Sequence, residues 1–240
     1  MTQQKPAVVL VHGAFAESAS WNPVIERLSG QGLTSVAVAN PLRSLAGDAT
    51  YTRDVIASID GPVVLAGHSY GGMVITEAAA GLEQVAGLVY VCAFAPEPGE
   101  SAFGLSAKFP GSTLGEALAS YPVSSGGTDL AIRPESFHHQ FIADVPAEQA
   151  AVLAATQRPV TQAALTGALA TATPAWRSIP SWFVFGDEDL NIPVALHRFM
   201  AERAAAKGVR EIAGASHAIS VSQPTPVAAS IVEAVRAVTA

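Results

Sequence analysis

Ser69 stands in Gly67-His68-Ser69-Tyr70-Gly71-Gly72, after the apolar run Pro62-Val63-Val64-Leu65-Ala66 and before the helix-like Met73-Val74-Ile75-Thr76-Glu77-Ala78. That pattern reads as a strand, a sharp turn and a helix. A serine at the apex of such a turn has its hydroxyl lifted clear of the backbone. The residues two before and two after it must be tiny, because larger side chains would meet the crossing chain. Gly67 and Gly71 meet that demand. The chemistry on offer is nucleophilic attack, provided that a base and an orienting acid follow.

Both follow, in the chain order Ser, acid, His. The acid lies in Gly186-Asp187-Glu188-Asp189-Leu190-Asn191-Ile192-Pro193, directly after the strand-like Ser181–Phe185. The histidine is His217, in Gly214-Ala215-Ser216-His217 after the strand-like Gly208–Ile212. One helix and one strand fit between them, so both should emerge at the C-terminal edge of neighbouring parallel strands, where α/β sheets place ligands. Of the three carboxylates, Asp189 is preferred, since it lies where the loop has turned back toward the sheet edge. Asp187 and Glu188 are expected to face water or cap the loop. Among the six histidines, only His217 sits in a late loop that follows a strand. His12 and His68 read as buried and hydrogen-bonded, and His138, His139 and His197 as helix residues with an exposed or packing role.

A fourth element is Val8-Val9-Leu10-Val11-His12-Gly13-Ala14-Phe15, a buried strand running into a His-Gly turn. In acyl transfer such a loop sets a backbone N–H beside the one that follows the nucleophile, and the pair binds an oxyanion. The hole is therefore assigned to the amides of Ala14 and Tyr70.

The elements that must hold these groups are legible as apolar runs separated by helical stretches, the pattern of strands buried on both faces of a parallel sheet. Strands are expected near 7–11, 34–39, 62–66, 86–92, 181–185 and 208–212. Helices are expected near 18–30, opened by Ser18 or Ser20, and 48–59, opened by Asp48; then at 70–82, 194–206 and 224–238. The alternation breaks once, between Pro96 and Pro180, a gap too long for a loop and so an insertion with structure of its own. We expect a core of residues 1–96 and 179–240 and a helical cap over 97–178 that roofs the site. Phe15, Phe103 and Phe141 are the candidate pocket aromatics, although a helical pair such as Phe137 and Phe141 also suits the interior of the cap.

A net charge of −7 argues against a nucleic-acid partner, which needs clustered Lys and Arg. No apolar run approaches a membrane span, and only five apolar residues, Ala7 to Val11, precede His12, too few for a secretion signal. A lone cysteine, Cys92, rules out an intrachain disulfide and a cysteine-based metal site. The expectation is a soluble cytoplasmic protein without metal or organic cofactor, acting on a small-molecule ester, with a homodimer as a possible assembly.

The chain resembles the α/β-hydrolase superfamily, within it the small-capped branch of plant methylesterases and hydroxynitrile lyases. The likeness rests on Val-His-Gly-Ala with Trp21, the Gly-His-Ser-Tyr-Gly-Gly turn, Glu188–Pro193 with His197-Arg198-Phe199-Met200, Gly214–Ala218, and the cap stretches Phe137–Phe141 and Gln157-Arg158-Pro159. It implies an α/β fold with an about six-stranded, mainly parallel sheet, and serine esterase chemistry through Ser69, His217 and Asp189. The branch's hydroxynitrile lyases carry a threonine where Gly13 stands and a lysine where Ala218 stands, which puts this chain on the esterase side. Cofactor-free perhydrolase or oxygenase chemistry, and a small-ligand receptor with little turnover, are the other readings.

Overall fold

The fold is that of a computed structural model describing residues 5–124 and 126–239; the first four residues and the last of the expected core, and residue 125 of the insertion, lie outside those described. In chain order come β1 (Ala7–Val11), α1 (Asn22–Gly30), β2 (Ser35–Val38), α2 (Leu45–Ala57), β3 (Val63–His68), α3 (Gly71–Ala79) and β4 (Val85–Val91). The insertion carries α4 (Ala102–Ser106), α5 (Leu114–Ala117), β5 (Leu118–Pro122), β6 (Thr128–Ile132), α6 (Pro134–Phe141), α7 (Ala147–Thr156), β7 (Val160–Thr161) and α8 (Gln162–Thr166). The chain then resumes with β8 (Ser181–Gly186), α9 (Val194–Arg203), β9 (Gly208–Ile212), α10 (Ile219–Ser222) and α11 (Pro224–Thr239).

Six parallel strands pair in the order β2-β1-β3-β4-β8-β9. Parallel neighbours need crossovers, and helices on both faces bury the central strands: Val8–Val11 and Val63–Ala66 expose no surface, whereas the edge strands β2 and β9 stay partly exposed. The strand order reverses between β1 and β3. Their register sets Val11 beside Gly67, and that of β3 with β4 sets His68 beside Val91, so these strands end level. The crevice at this reversal is where such a sheet receives a ligand.

Two helix starts differ from expectation. Ser18–Trp21 forms a 3₁₀ turn, and the α-helix proper begins at Asn22 with Pro23 pre-set for its first turn. α2 is capped by Ser44, whose Oγ accepts from the Gly47 amide, so Asp48 does not open it. Asp48 is instead buried, accepting from the Arg43 amide and from the Tyr70 hydroxyl at 2.9 Å.

The insertion is helical in its second half, as its alanine content suggests, but it also holds a three-stranded antiparallel sheet of order β5-β6-β7. β5 leaves most of its side chains in solvent, so it lacks the apolar signal of the core strands. The two ends of the insertion are tied together: Trp176 Nε1 donates to the Pro96 carbonyl at 2.9 Å, and Arg177 pairs with Glu97 at 2.7 Å.

Candidate active site

Ser69 and Tyr70 join β3 to α3, and Ser69 has a left-handed φ of +54°. A non-glycine residue holds that conformation only where its surroundings over-determine it. Here the Ser69 amide donates to the Val91 carbonyl, and the Ser69 carbonyl accepts from Gly72 and Phe94. A Cβ on Gly71 would lie 2.3 Å from the Val11 carbonyl oxygen, so β1 can pass this close only over glycine. The loop after β1 is equally near, since a Cβ on Gly13 would lie 2.6 Å from Ser69 Cβ. Ala14 and Tyr70, the expected oxyanion donors, thus flank Ser69 in space, and all three line one cavity. The Phe15 amide donates to the Arg158 carbonyl of the insertion, which pins this loop from above. Tyr70 is held from below by its hydroxyl bond to Asp48.

The structure separates the three clustered carboxylates. Asp189 is buried; its Oδ1 accepts from the Asn191 and Ile192 amides at 2.8 and 2.9 Å, and its Oδ2 from His217 Nδ1 at 2.7 Å. Burial alone would raise its pKa, but the imidazoles of His217 and His197 override burial and hold the carboxyl well below its usual range. Asp187 is exposed and accepts from the Gly214 amide, bracing the histidine loop, while the Glu188 side chain is exposed. His217 Nε2 has no partner among the described residues, and His217 lines the same cavity as Ser69. The sheet edge therefore brings together serine, imidazole and carboxylate from three loops far apart in sequence.

The insertion reaches both of the later loops. Gln140 in α6 donates through Nε2 to the Leu190 carbonyl and to Asn191 Oδ1, at 2.9 and 2.8 Å. At its end the Phe141 carbonyl accepts from the Ala218 amide, and Ser216 Oγ donates to Asp144. The cavity enclosed is about 660 Å³. Among the described residues no Lys, Arg, Asp or Glu lines it.

The three candidate aromatics fall in different places. Phe15 is buried and lines the cavity. Phe103 lines it too, yet is 67% exposed, so it stands at the mouth. Phe141 is not among the lining residues of this cavity; its ring packs edge-on against His217 at 5.2 Å, with Phe137 on one side and His68 on another. We expect Phe103→Ala to leave stability within about 0.5 kcal/mol while changing the preference among acetate, butyrate and benzoate esters. Phe141→Ala should cost about 3–5 kcal/mol of stability and lower the rate on all three alike. Thermal melts with ester kinetics check this, and the opposite assignment would exchange the two roles.

Sequence reasoning missed two features. His197, whose sequence position suggests an exposed or packing role on a helix, is fully buried with Nε2 3.1 Å from Asp189 Oδ2. A signal existed: His197 follows Pro193 by four residues, one turn into the helix that springs from the acid loop. Asn191 Nδ2 is buried without a partner among the described residues, its amide orientation fixed by Gln140. The sulfur of Cys92, an Asp189 oxygen and a His197 nitrogen lie within 4.8 Å of one another. That set is a poor metal centre, because Asp189 already accepts four N–H groups and burial pushes the Cys92 thiol well up.

Burial also fixes the pH response of the core. It pushes His12 down to about 4 and His68 down to about 3 from 6.5, and lowers His197 as well. The unfolded chain takes up these protons near pH 6.5, whereas the folded one does so only at the lower values. Stability is thus intact above pH 6.5 and is lost as pH falls below it, by about 1.4 kcal/mol per pH unit for each of His12 and His68. We expect a loss of roughly 3 kcal/mol between pH 6 and pH 5, read as a fall in Tm. A flat Tm across that interval would show that these rings are not held neutral.

The profile of the alpha/beta hydrolase family matches residues 8–230. The chain is 31% identical over 218 residues to the alpha/beta hydrolase nvfD of Aspergillus novofumigatus, covering 83% of this chain and 84% of that one. It is 26% identical to polyneuridine aldehyde esterase of Rauvolfia serpentina, across 94% of each chain. The crystal structure of polyneuridine aldehyde esterase superposes with a TM-score of 0.81 over 96% of this chain and 99% of that one at 24% identity. The methylesterase protein MES16 from Arabidopsis does so at 0.78, over 96% and 99%, with 19% identity. The expected likeness to the plant methylesterase branch is met by these neighbours.

Proposed function

Since the chain belongs to the alpha/beta hydrolase family, we propose that it hydrolyses small uncharged carboxylic esters by serine acyl transfer. The observation that carries the reading is the 2.7 Å bond from His217 Nδ1 to buried Asp189, with His217 Nε2 left unpaired and Ser69 on the same cavity wall. Ser69 Oγ attacks the ester carbonyl as His217 takes its proton through Nε2. The oxyanion that forms is received by the Ala14 and Tyr70 amides. The imidazolium returns the proton to the leaving alcohol, and water then repeats the cycle on the acyl-enzyme. Asp189, an acceptor at both oxygens, keeps the His217 proton on Nδ1 and stabilises the imidazolium.

The absence of charged lining residues among those described favours a neutral substrate. Ester hydrolysis is supported by the names of polyneuridine aldehyde esterase and of the carbendazim hydrolyzing esterase of Nocardioides, the latter 37% identical over 113 residues that span 42% of this chain and 47% of that one. Cyanohydrin cleavage is disfavoured on two counts. A threonine in place of Gly13 would set its Cβ 2.6 Å from Ser69 Cβ, and Ala218 gives departing cyanide no counter-charge. Among the described residues no helix is long and apolar enough to cross a membrane, and we place the activity in the cytoplasm with no cofactor.

The experiment is a panel of p-nitrophenyl acetate, butyrate and benzoate with intact-mass detection of an acyl adduct, run beside mandelonitrile. Turnover with an adduct on the Ser69 peptide is expected. Enzyme-dependent cyanide release, or binding of the esters without turnover, would move the protein to the lyase or receptor reading.

A further inference from the structure

The surroundings of Asp189 hold one imidazole more than serine acyl transfer uses. His197 lies in the first turn of α9, fully buried, its ring stacked on Phe185 with centroids 4.8 Å apart and planes 10° apart. Its Nε2 is 3.1 Å from Asp189 Oδ2, the same oxygen that His217 Nδ1 reaches at 2.7 Å. An ionised carboxylate has only lone pairs to give, so each contact requires an N–H on the imidazole side. His197 therefore carries its proton on Nε2. Its Nδ1 has no partner among the described residues.

Packing alone does not account for this ring. Phenylalanine or leucine would fill the space beside Phe185 without a buried, unpaired nitrogen, a group whose desolvation costs about 1–3 kcal/mol. What the imidazole adds over an apolar side chain is its one donated hydrogen bond. That bond falls on the oxygen that governs His217.

We propose that His197 is a positioning residue which, by sharing Asp189 Oδ2 with His217, limits how strongly that carboxylate holds the His217 proton. The proposal rests on the reading of His217 as the general base. With the two backbone amides on Oδ1 and two imidazoles on Oδ2, four donors divide the charge of one carboxylate. Less of it remains to stabilise the imidazolium of His217.

Other titratable groups face His217 from other elements. His68, at the end of β3, has its ring 4.8 Å from that of His217. Asp144, between α6 and α7, accepts from the neighbouring Ser216, and Cys92 after β4 sets its sulfur against the Ser216 carbonyl. Glu211 in β9 acts on His197 through space. The Cys92 thiol also lies against Asp189 and interacts with its carboxylate, but among the described residues the N–H groups on Oδ2 come from the two imidazoles.

The test separates this role from simple structure. His197→Phe keeps an aromatic ring on Phe185 without the donor, and His197→Gln keeps an N–H able to reach the same oxygen. In the phenylalanine variant the acid limb of kcat/KM should move up by roughly 0.5–1 pH unit, a three- to tenfold loss at low pH beyond any change on the plateau. The glutamine variant should keep the parent profile. In a Ser69→Ala background, which needs no turnover, the low-field proton resonance of the His217–Asp189 bond should move further downfield with His197→Phe and stay in place with His197→Gln.

Loss of rate at all pH values with the acid limb and the resonance unmoved means that His197 only packs, and it overturns the proposal. The nitrogen-15 spectrum of the unsubstituted protein is a second measurement that needs no variant to fold. A His197 protonated on Nδ1, or on both nitrogens, at pH 7 overturns the proposal as well. If no ester is hydrolysed yet the resonance responds as stated, the acyl-transfer reading fails and this one stands.

Discussion

Ser69→Ala lowers kcat on the preferred ester by roughly 10⁴–10⁶ and leaves the fold intact. The substitution removes one oxygen and nothing else that holds the turn. The Ser69 amide still donates to Val91, and its carbonyl still accepts from Gly72 and Phe94. Alanine inherits the strained φ of +54° that serine already bears, so Tm should move little. The surviving rate measures what the oxyanion donors and the binding cavity do without covalent chemistry. A fluorophosphonate should label the native protein on the Ser69 peptide alone and fail to label the variant. A variant keeping more than about a thousandth of the parent kcat, or a label elsewhere, removes Ser69 from the reaction.

Asp189→Asn is expected to cost roughly 10⁴ in kcat, and the geometry says why a nearly isosteric change does so much. Both carboxylate oxygens accept two N–H groups, from the Asn191 and Ile192 amides on one side and from His217 and His197 on the other. Asparagine has one oxygen and one NH₂. With its oxygen toward the backbone amides, the NH₂ faces two imidazoles, and His217 must present a lone pair at Nδ1 and carry its proton on Nε2. That tautomer cannot take a proton from Ser69. Turning the amide over sets the NH₂ against two backbone donors and destabilises the loop. Asp187→Asn should change kcat little, because Asp187 only braces the loop through the Gly214 amide. A larger loss at Asp187 than at Asp189, measured on the same ester, would reverse the assignment.

Wherever local sterics or complete burial dictate residue type, the chain is legible from its residues. Gly67, Ser69 and Gly71 identify the turn because the nearby backbone leaves no volume for a Cβ at the flanking positions. The runs Val8–Val11, Val63–Ala66 and Trp182–Phe185 identify core strands because a strand covered on both faces must be apolar throughout. The acid and histidine loops follow because each strand of such a sheet delivers its successor to the same edge. Other features exist only once distant segments have packed. Asp48 looks like a helix cap until α2 packs on α3 and sets its carboxylate under Tyr70. β5 has no apolar pattern of its own, and its pairing with β6 defines it as a strand. Phe103 and Phe141 are the same residue type in one insertion, yet one ends at the cavity mouth and the other against His217. His197 carries no chemistry in its helix until that helix folds back over Asp189. In each case the deciding contact joins segments whose approach is set by packing, and residue type along the chain carries no record of which partner a side chain will meet.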